Sequence, residues 1–143
     1  MRQTVELDHF PAKTYEKLRY GDTDRQGHVN NAVFATMFET GRVEILYDPD
    51  APLASPNCEF VIVNLNLDFH SEITWPGRVE VGTRVAKVGR SSITFEQALF
   101  QKGRATATAK TVIVHINETT RRSEPLNDAA IERLKDLRSP STT

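Results

Sequence analysis

The 143-residue chain has a single cysteine, a single tryptophan and two methionines. Cys58 cannot form an intrachain disulfide and has no neighbour at the spacing of a zinc or thiol-redox motif, which excludes a covalently stapled scaffold. No run of 18 apolar residues occurs, so no segment reads as a membrane-spanning helix. Residues 1–15 (MRQTVELDHFPAKTY) alternate polar and apolar positions with no apolar core stretch. They do not read as a secretory signal, and the expected location is cytoplasmic. An excess of one charge is missing too: 18 Lys and Arg stand against 19 Asp and Glu, a formal net charge of −1. A surface that tracks nucleic-acid phosphates shows as excess basic charge, so no nucleic-acid partner is expected. His9, His28, His70 and His115 have no metal-ligand spacing, and there is neither a Gly-x-Ser-x-Gly elbow nor a phosphate-cradling loop. Neither a metal nor a separate cofactor is expected.

What is present fits one domain over residues 1–137, followed by a tail, 138–143 (RSPSTT), that reads as disordered. Only 38% of residues are apolar and the mean hydropathy is −0.44, low for a free-standing monomer. The pattern predicts a first strand over 12–20, a polar loop over 21–29, and a helix over 30–47 with Asn30 at its cap. Residues 47–57 hold three prolines and form a connection. Four strands follow, over 59–70, 78–88, 92–101 and 104–116, mostly joined by tight turns at 75–77, 89–91 and 102–103. In the first of these, Val61, Val63, Leu65, Leu67 and Phe69 alternate with Asn64, Asn66 and Asp68 and should share one face. A short amphipathic helix over 127–137 places Ile131, Leu134 and Leu137 on one side. The class is α+β, one long helix against a five-stranded antiparallel sheet.

On a helical wheel of about 100° per residue, Phe34, Phe38, Gly41 and Ile45 fall in one narrow arc with Met37 beside it. This is the face for the sheet. Gly41 lowers helix stability by about 1 kcal/mol relative to Ala, which points to a close backbone approach at that position. Ala32, Ala35, Val43 and Leu46 form a second apolar arc, and Thr36, Thr40 and Glu44 the polar stripe. A small sheet cannot cover a helix on most sides; a second copy of the chain could. Glu39 falls inside the second arc. It reads either as an i,i+3 ion-pair partner of Arg42 on a half-exposed face or as a carboxylate facing a site at a subunit boundary.

Residues 20–31 (YGDTDRQGHVNN) put two aspartates, a histidine and two asparagines just before an apolar helix. Asp22 and Asp24 are thereby expected near unsatisfied N–H groups of the helix N-terminus, where the dipole favours negative charge. A polar loop with an Asx turn and an Asn cap explains the same composition. The pattern Asp22, Asp24, Gly27, His28, Val29, Asn30, Asn31, with Glu39 and Arg42 on the following helix, resembles the hotdog-fold acyl-CoA thioesterases of the 4-hydroxybenzoyl-CoA thioesterase type. The resemblance implies a hotdog fold, a five-stranded antiparallel sheet wrapped around one long central helix, with a short C-terminal helix added. It also implies that Asp24 is the catalytic carboxylate, as nucleophile on the thioester carbonyl or as general base for water. The amide near Asn31 would hydrogen-bond the thioester oxygen, while His28 and Asn30 would shape the loop or orient water. Active sites would lie at the interface of a homodimer, often paired into a homotetramer.

The substrate implied is an acyl-CoA, its coenzyme A moiety being part of the substrate rather than a cofactor. Its phosphates need cations. Lys87 and Arg90 flank the Gly89 turn beside Ser91 and Ser92, with Arg84 and Arg104 on nearby strands; each also reads as an ordinary solvated charge. A hotdog hydratase or dehydratase acting on enoyl or 3-hydroxyacyl thioesters, and a non-catalytic acyl-CoA binding module, are the other readings.

Overall fold

The computed structural model describes residues 5–24 and 27–138. The long helix α1 (Asn31–Leu46) starts where Asn30 turns extended and its side chain accepts the Ala32 N–H at 2.9 Å. Asn is a strong cap because its short carbonyl reaches an otherwise orphaned first-turn donor. The five strands β1 (Ala12–Lys17), β2 (Cys58–Phe69), β3 (Arg78–Val88), β4 (Ser92–Gln101) and β5 (Arg104–Asn117) form one antiparallel sheet in the order β1-β3-β4-β5-β2. A second helix, α2 (Asp128–Lys135), is capped by Asn127, which accepts the Ala130 N–H at 2.8 Å. This is the expected α+β hotdog arrangement, with α1 lying over β1, β3 and β4.

Three details depart from the sequence pattern. The first strand ends at Lys17 rather than at residue 20. Its partner β3 begins at Arg78, opposite Lys17, and Pro76 before it has no N–H to extend the ladder. In β2 a bulge between Ile62 and Asn64 inserts Val63 as an extra residue. Side-chain parity flips there. Leu65, Leu67 and Phe69 do share the helix face, whereas Val61 lies on the other face, and Phe60 and Ile62 take its place toward the helix. Finally, β2 and β3 are consecutive but not adjacent: β2 pairs with β5 at the sheet edge, and residues 70–77 cross the end of the sheet. Of the tail expected to be disordered, Arg138 forms a parallel bridge with Val85; residues 139–143 lie outside the described residues.

The core sits between α1 and the sheet. Phe34, Met37 and Phe38 pack with Val81, Leu99 and Ile73 near the start of the helix, and Ile45 and Leu46 pack with Phe95, Ile113 and Leu134 near its end. Each such side chain contributes roughly 1.5–3 kcal/mol through burial. Arg42, which one of the two sequence readings pairs with Glu39 on a half-exposed face, is instead buried at 4% exposure and donates to Gln97 Oε1 at 3.2 Å. No ion pair joins Arg42 to Glu39 among the described residues. Burial pushes the Arg42 guanidinium below its ordinary value, and the charge of nearby Glu39 partly opposes this. Gln97 also donates to the Phe38 carbonyl and to Thr83 Oγ1, both at 2.9 Å, so one buried amide ties the helix to two strands.

Gly41 makes that tie possible. A Cβ there would stand 2.8 Å from Gln97 Nε2, from Thr83 Oγ1 and from Val81 Cγ1. Gly41→Ala would gain about 1 kcal/mol of helix propensity. The crowding and the displaced amide network cost more, roughly 1–3 kcal/mol for overpacking plus a strained hydrogen bond. The expected result is a net loss of about 1–2 kcal/mol in urea unfolding, and a stabilised variant would disprove the close approach.

Beneath the 118–126 segment, Glu124 accepts from Cys58 Sγ at 3.2 Å and from Asn117 Nδ2 at 2.9 Å. These bonds, the Cys58 one first, hold the Glu124 carboxyl below the usual carboxylate range. A carboxyl depressed in the folded state contributes stability above its unfolded pKa and loses it as pH falls through the folded value. The denaturation midpoint should therefore drop on acidification, and Glu124→Gln should flatten that part of the curve. Burial and the same neighbour push the Cys58 thiol up, so it is held as a neutral donor.

Candidate functional site

The 20–31 segment is built around two aspartates with different surroundings. Asp22 is buried, and its carboxylate accepts from the Arg19 backbone N–H and from Arg19 Nη2, both at 3.0 Å. Contrary to the expectation from the sequence, its side chain turns to Arg19 and not to the helix N-terminus; its carbonyl accepts the Asn30 N–H at 2.8 Å and sets the chain entering α1. Asp22 is thus structural.

Asp24 is exposed where the turn begins, paired with His28. Its N–H donates to the His28 carbonyl at 2.8 Å, and its Oδ1 accepts the His28 N–H at 3.2 Å. The returning strand of the turn then pairs with the 70–77 crossover. Val29 N–H donates to Ile73 O at 2.8 Å, Trp75 N–H donates to Gly27 O at 3.2 Å, and His28 bridges Thr74. The loop is therefore positioned by backbone bonds on both sides.

A cleft of about 390 Å³ lies between this loop and the crossover. Asp24, His28 and Asn31 form one wall; Phe69, His70, Ser71 and Glu72 form the other. His28 Nε2 lies 3.1 Å from Glu72 Oε2, which holds the imidazole against the far wall. Asn30 spends its side chain on the cap, so Asn31 is the amide that reaches the cleft at the helix start. Phe69 meets Phe34 edge to face at 5.0 Å and closes the floor.

Of the residues singled out from the sequence, the fold brings together Asp24, His28 and Asn31, with Asn30 behind them. Glu39 is not among them. It is exposed on α1, about 12 Å further along the helix axis than Asn31 at 1.5 Å per residue. Lys87, Arg90, Ser91 and Ser92 lie at the opposite end of the sheet, about 30 Å along β3 from the Arg78 end at ~3.3 Å per residue. Arg84 is on the sheet face away from α1, paired with Glu96 at 3.1 Å and stacked 4.8 Å from the centre of the Phe10 ring. Sequence reasoning passed over Ser71 and Glu72. The only signal was the short polar break His70-Ser71-Glu72 after an alternating strand, and nothing in it tells which loop it will meet. Among the described residues, no three His, Cys, Asp or Glu side chains come together as a metal set, and no helix is long and apolar enough to cross a membrane.

The chain matches solved structures along most of its length. The PA5185 protein of Pseudomonas aeruginosa PAO1 superposes with a TM-score of 0.86 at 25% identity, over 96% of this chain and 98% of that one. A thioesterase of Thermus thermophilus, solved with coenzyme A and Zn, is 32% identical with a TM-score of 0.76, over 91% of this chain and 96% of that one. A predicted thioesterase of Bacillus stearothermophilus is 30% identical with a TM-score of 0.80, over 90% and 98%. No curated protein matches the sequence significantly. The family model of the thioesterase-like superfamily matches residues 18–134, a span that contains the aspartate loop, the long helix and the four strands after it. With that span matched and the hotdog sheet in place, the chain belongs to the thioesterase-like superfamily and is a thioester hydrolase.

Proposed function

We propose that the substrate is an acyl-CoA, cleaved to a free carboxylic acid and CoA thiol in the cleft between Asp24 and Glu72. The observation that carries this reading is the placement of an exposed, backbone-anchored carboxylate beside the amide that starts a helix. A thioester carbonyl seated there would have its oxygen toward the Asn31 N–H and side-chain amide, where a developing oxyanion meets the positive end of the α1 dipole. Asp24 then has two routes. As general base it takes a proton from water while the water oxygen bonds the carbonyl carbon. The C–S bond breaks, and the thiolate leaves with a proton. As nucleophile its own oxygen bonds that carbon, the thiolate departs, and water opens the resulting anhydride. Either way the carbon–sulfur bond is exchanged for a carbon–oxygen bond, with no redox change. The Thermus relative was solved with CoA, and the DHNA-CoA thioesterase of Staphylococcus aureus is a second structural neighbour, both consistent with a CoA thioester.

The active unit in this reading is a homodimer, paired further into a tetramer. β2 is the sheet edge, and its outer side pairs with no strand among the described residues. Val63, Leu65 and Phe69 on it are 58%, 41% and 51% exposed, and Val43 of α1 is 41% exposed. A two-fold antiparallel pairing of β2 edges would cover this apolar strip. It would also bring the partner's 88–92 turn, which stands at the Cys58 end of the sheet, to the Asp24 end of this one. Lys87, Arg90, Ser91 and Ser92 would then serve CoA phosphates from across the interface.

Free-thiol release measured across short, long and aromatic acyl-CoA substrates tests the proposal, with hydration of crotonyl-CoA assayed beside it. Thiol release with no hydration is expected, since His28 and Asp24 sit side by side on one turn rather than across a substrate. Hydration without thiol release would transfer the assignment to a hydratase; acyl-CoA binding without either would make the chain a binding module.

A further inference from the structure

The cleft beside Asp24 does not end at its far wall. A second cavity of about 350 Å³ opens on the other side of Ser71 and Glu72, which line both. Its outer wall is the β4–β5 turn with Lys102 and Arg104. Lys102 (φ 53°) and Gly103 (φ 77°) are both left-handed, the two-residue geometry that matches strand twist and keeps a hairpin tight. The turn is tied back across the cavity. Gln101 accepts the Thr74 N–H at 3.1 Å and donates to the Thr74 carbonyl at 2.8 Å. The two walls are therefore held at a fixed separation.

The charges in this cavity are not balanced. Lys102 and Arg104 are exposed, and among the described residues neither enters an ion pair. Against them the cavity lining has one carboxylate, Glu72, whose Oε2 lies 3.1 Å from His28 Nε2. The Ser71 hydroxyl between the two cavities is buried and has no hydrogen-bond partner among the described residues. A surface lysine alone is an ordinary solvated charge. Here two cations on one rigid turn face a cavity that shares a wall with the candidate catalytic cleft. Phe69 of the cleft pairs with Ala107, and Arg104 lies three residues further along β5, roughly 10 Å at strand spacing.

Resting on the thioesterase reading, we propose that Lys102 and Arg104 bind the phosphate that ends the pantetheine arm of the thioester substrate. The arm would run from the Asn31 and Asp24 end, past Ser71, into this cavity. The Arg104 fork takes two phosphate oxygens, and Lys102 adds a point charge. This site belongs to the same chain as Asp24. It differs from the Lys87 and Arg90 turn, which can reach the cleft only from a partner and is left for the more distant 3′-phosphate of CoA. The same phosphate chemistry has two sources, the diphosphate of CoA and the phosphodiester of a carrier protein's phosphopantetheine.

The test uses the full chain carrying Lys102→Gln and Arg104→Gln, both at exposed positions. Kinetics are compared on an acyl-CoA, the matching phosphate-free acyl-pantetheine and the matching carrier-protein thioester, with CoA binding followed by calorimetry. The expected result is a 10- to 100-fold fall in kcat/KM for acyl-CoA through KM, roughly the size of one or two charge-assisted hydrogen bonds, with acyl-pantetheine unaffected. CoA binding should weaken by a similar factor. A loss confined to the carrier-protein thioester supports the same site with phosphopantetheine as its ligand. Equal losses with and without phosphate, or no loss on any of the three, overturn the proposal. Should the unmodified protein cleave no thioester, calorimetry decides alone. CoA binding weakened by the two substitutions keeps the phosphate site while the hydrolase reading falls, and absent or unaltered binding removes the site too.

Discussion

Asp24→Asn is expected to lower kcat/KM for thioester hydrolysis by about 10²- to 10⁴-fold, the range a positioned acid–base group supplies. The replacement keeps the shape of the side chain, and its Oδ1 can still accept the His28 N–H that now reaches Asp24 at 3.2 Å. The turn is also closed by the backbone bond from Asp24 N–H to His28 O at 2.8 Å, which the substitution leaves alone. What disappears is the charge, and with it the ability to take a proton or attack a carbonyl. Unfolding and hydrodynamic mass should therefore match the unmodified protein while thiol release is lost. Asp22→Asn should do the reverse. Its carboxylate is buried against Arg19, so removing the charge should loosen the loop and lower stability before it touches the chemistry. Near-normal turnover by the Asp24 variant would sink the assignment.

The second large effect should come from a strand with no catalytic group. Replacing Val63 and Leu65 by Arg puts two charges on the exposed edge strip of β2, where a second copy would otherwise pair. Exposed edges and contiguous apolar strips are rarely left open by stable monomers. Light scattering should show the mass falling to that of the 16.1 kDa chain, and thioester hydrolysis should fall at least about ten-fold although Asp24 is untouched. Neither position lies in the cleft beside Asp24, so the loss would report the missing partner. An unchanged mass with full activity would place the subunit contact elsewhere.

Much of the architecture was legible because local rules suffice for it. Asn30 precedes a proline-free, largely apolar segment and caps it as that pattern demands, and the later short amphipathic segment forms α2 with Asn127 as its cap. The 102–103 turn follows from Lys-Gly between two strand-like runs. Glycine inside an otherwise apolar helix arc correctly marked the contact of α1 with the sheet. Elsewhere the pattern misled for a definite reason. One bulge at Val63 moves Val61 to the opposite face from Leu65, because parity along a strand survives only while no residue is inserted. Arg42 looked like half of a surface pair because helical spacing offered Glu39. The close approach allowed by Gly41 and the amide of Gln97, 55 positions away, draw it inward instead.

The sequence by itself determined the elements, the α+β class and the loop that carries Asp24, His28 and Asn31, since these depend on neighbours within a few residues. It also determined, through a resemblance now matched by the family, that the chemistry concerns a thioester. Only the tertiary structure decided what faces that loop. Because β2 pairs with β5 at the far edge, residues 70–77 must cross the end of the sheet, and the crossing delivers Ser71 and Glu72 to the cleft and sets the Lys102 turn beside it. The same topology sends Lys87 and Arg90 to the other end. Strand order is a property of the whole sheet, set by which edges bury apolar faces together, and no local pattern encodes it.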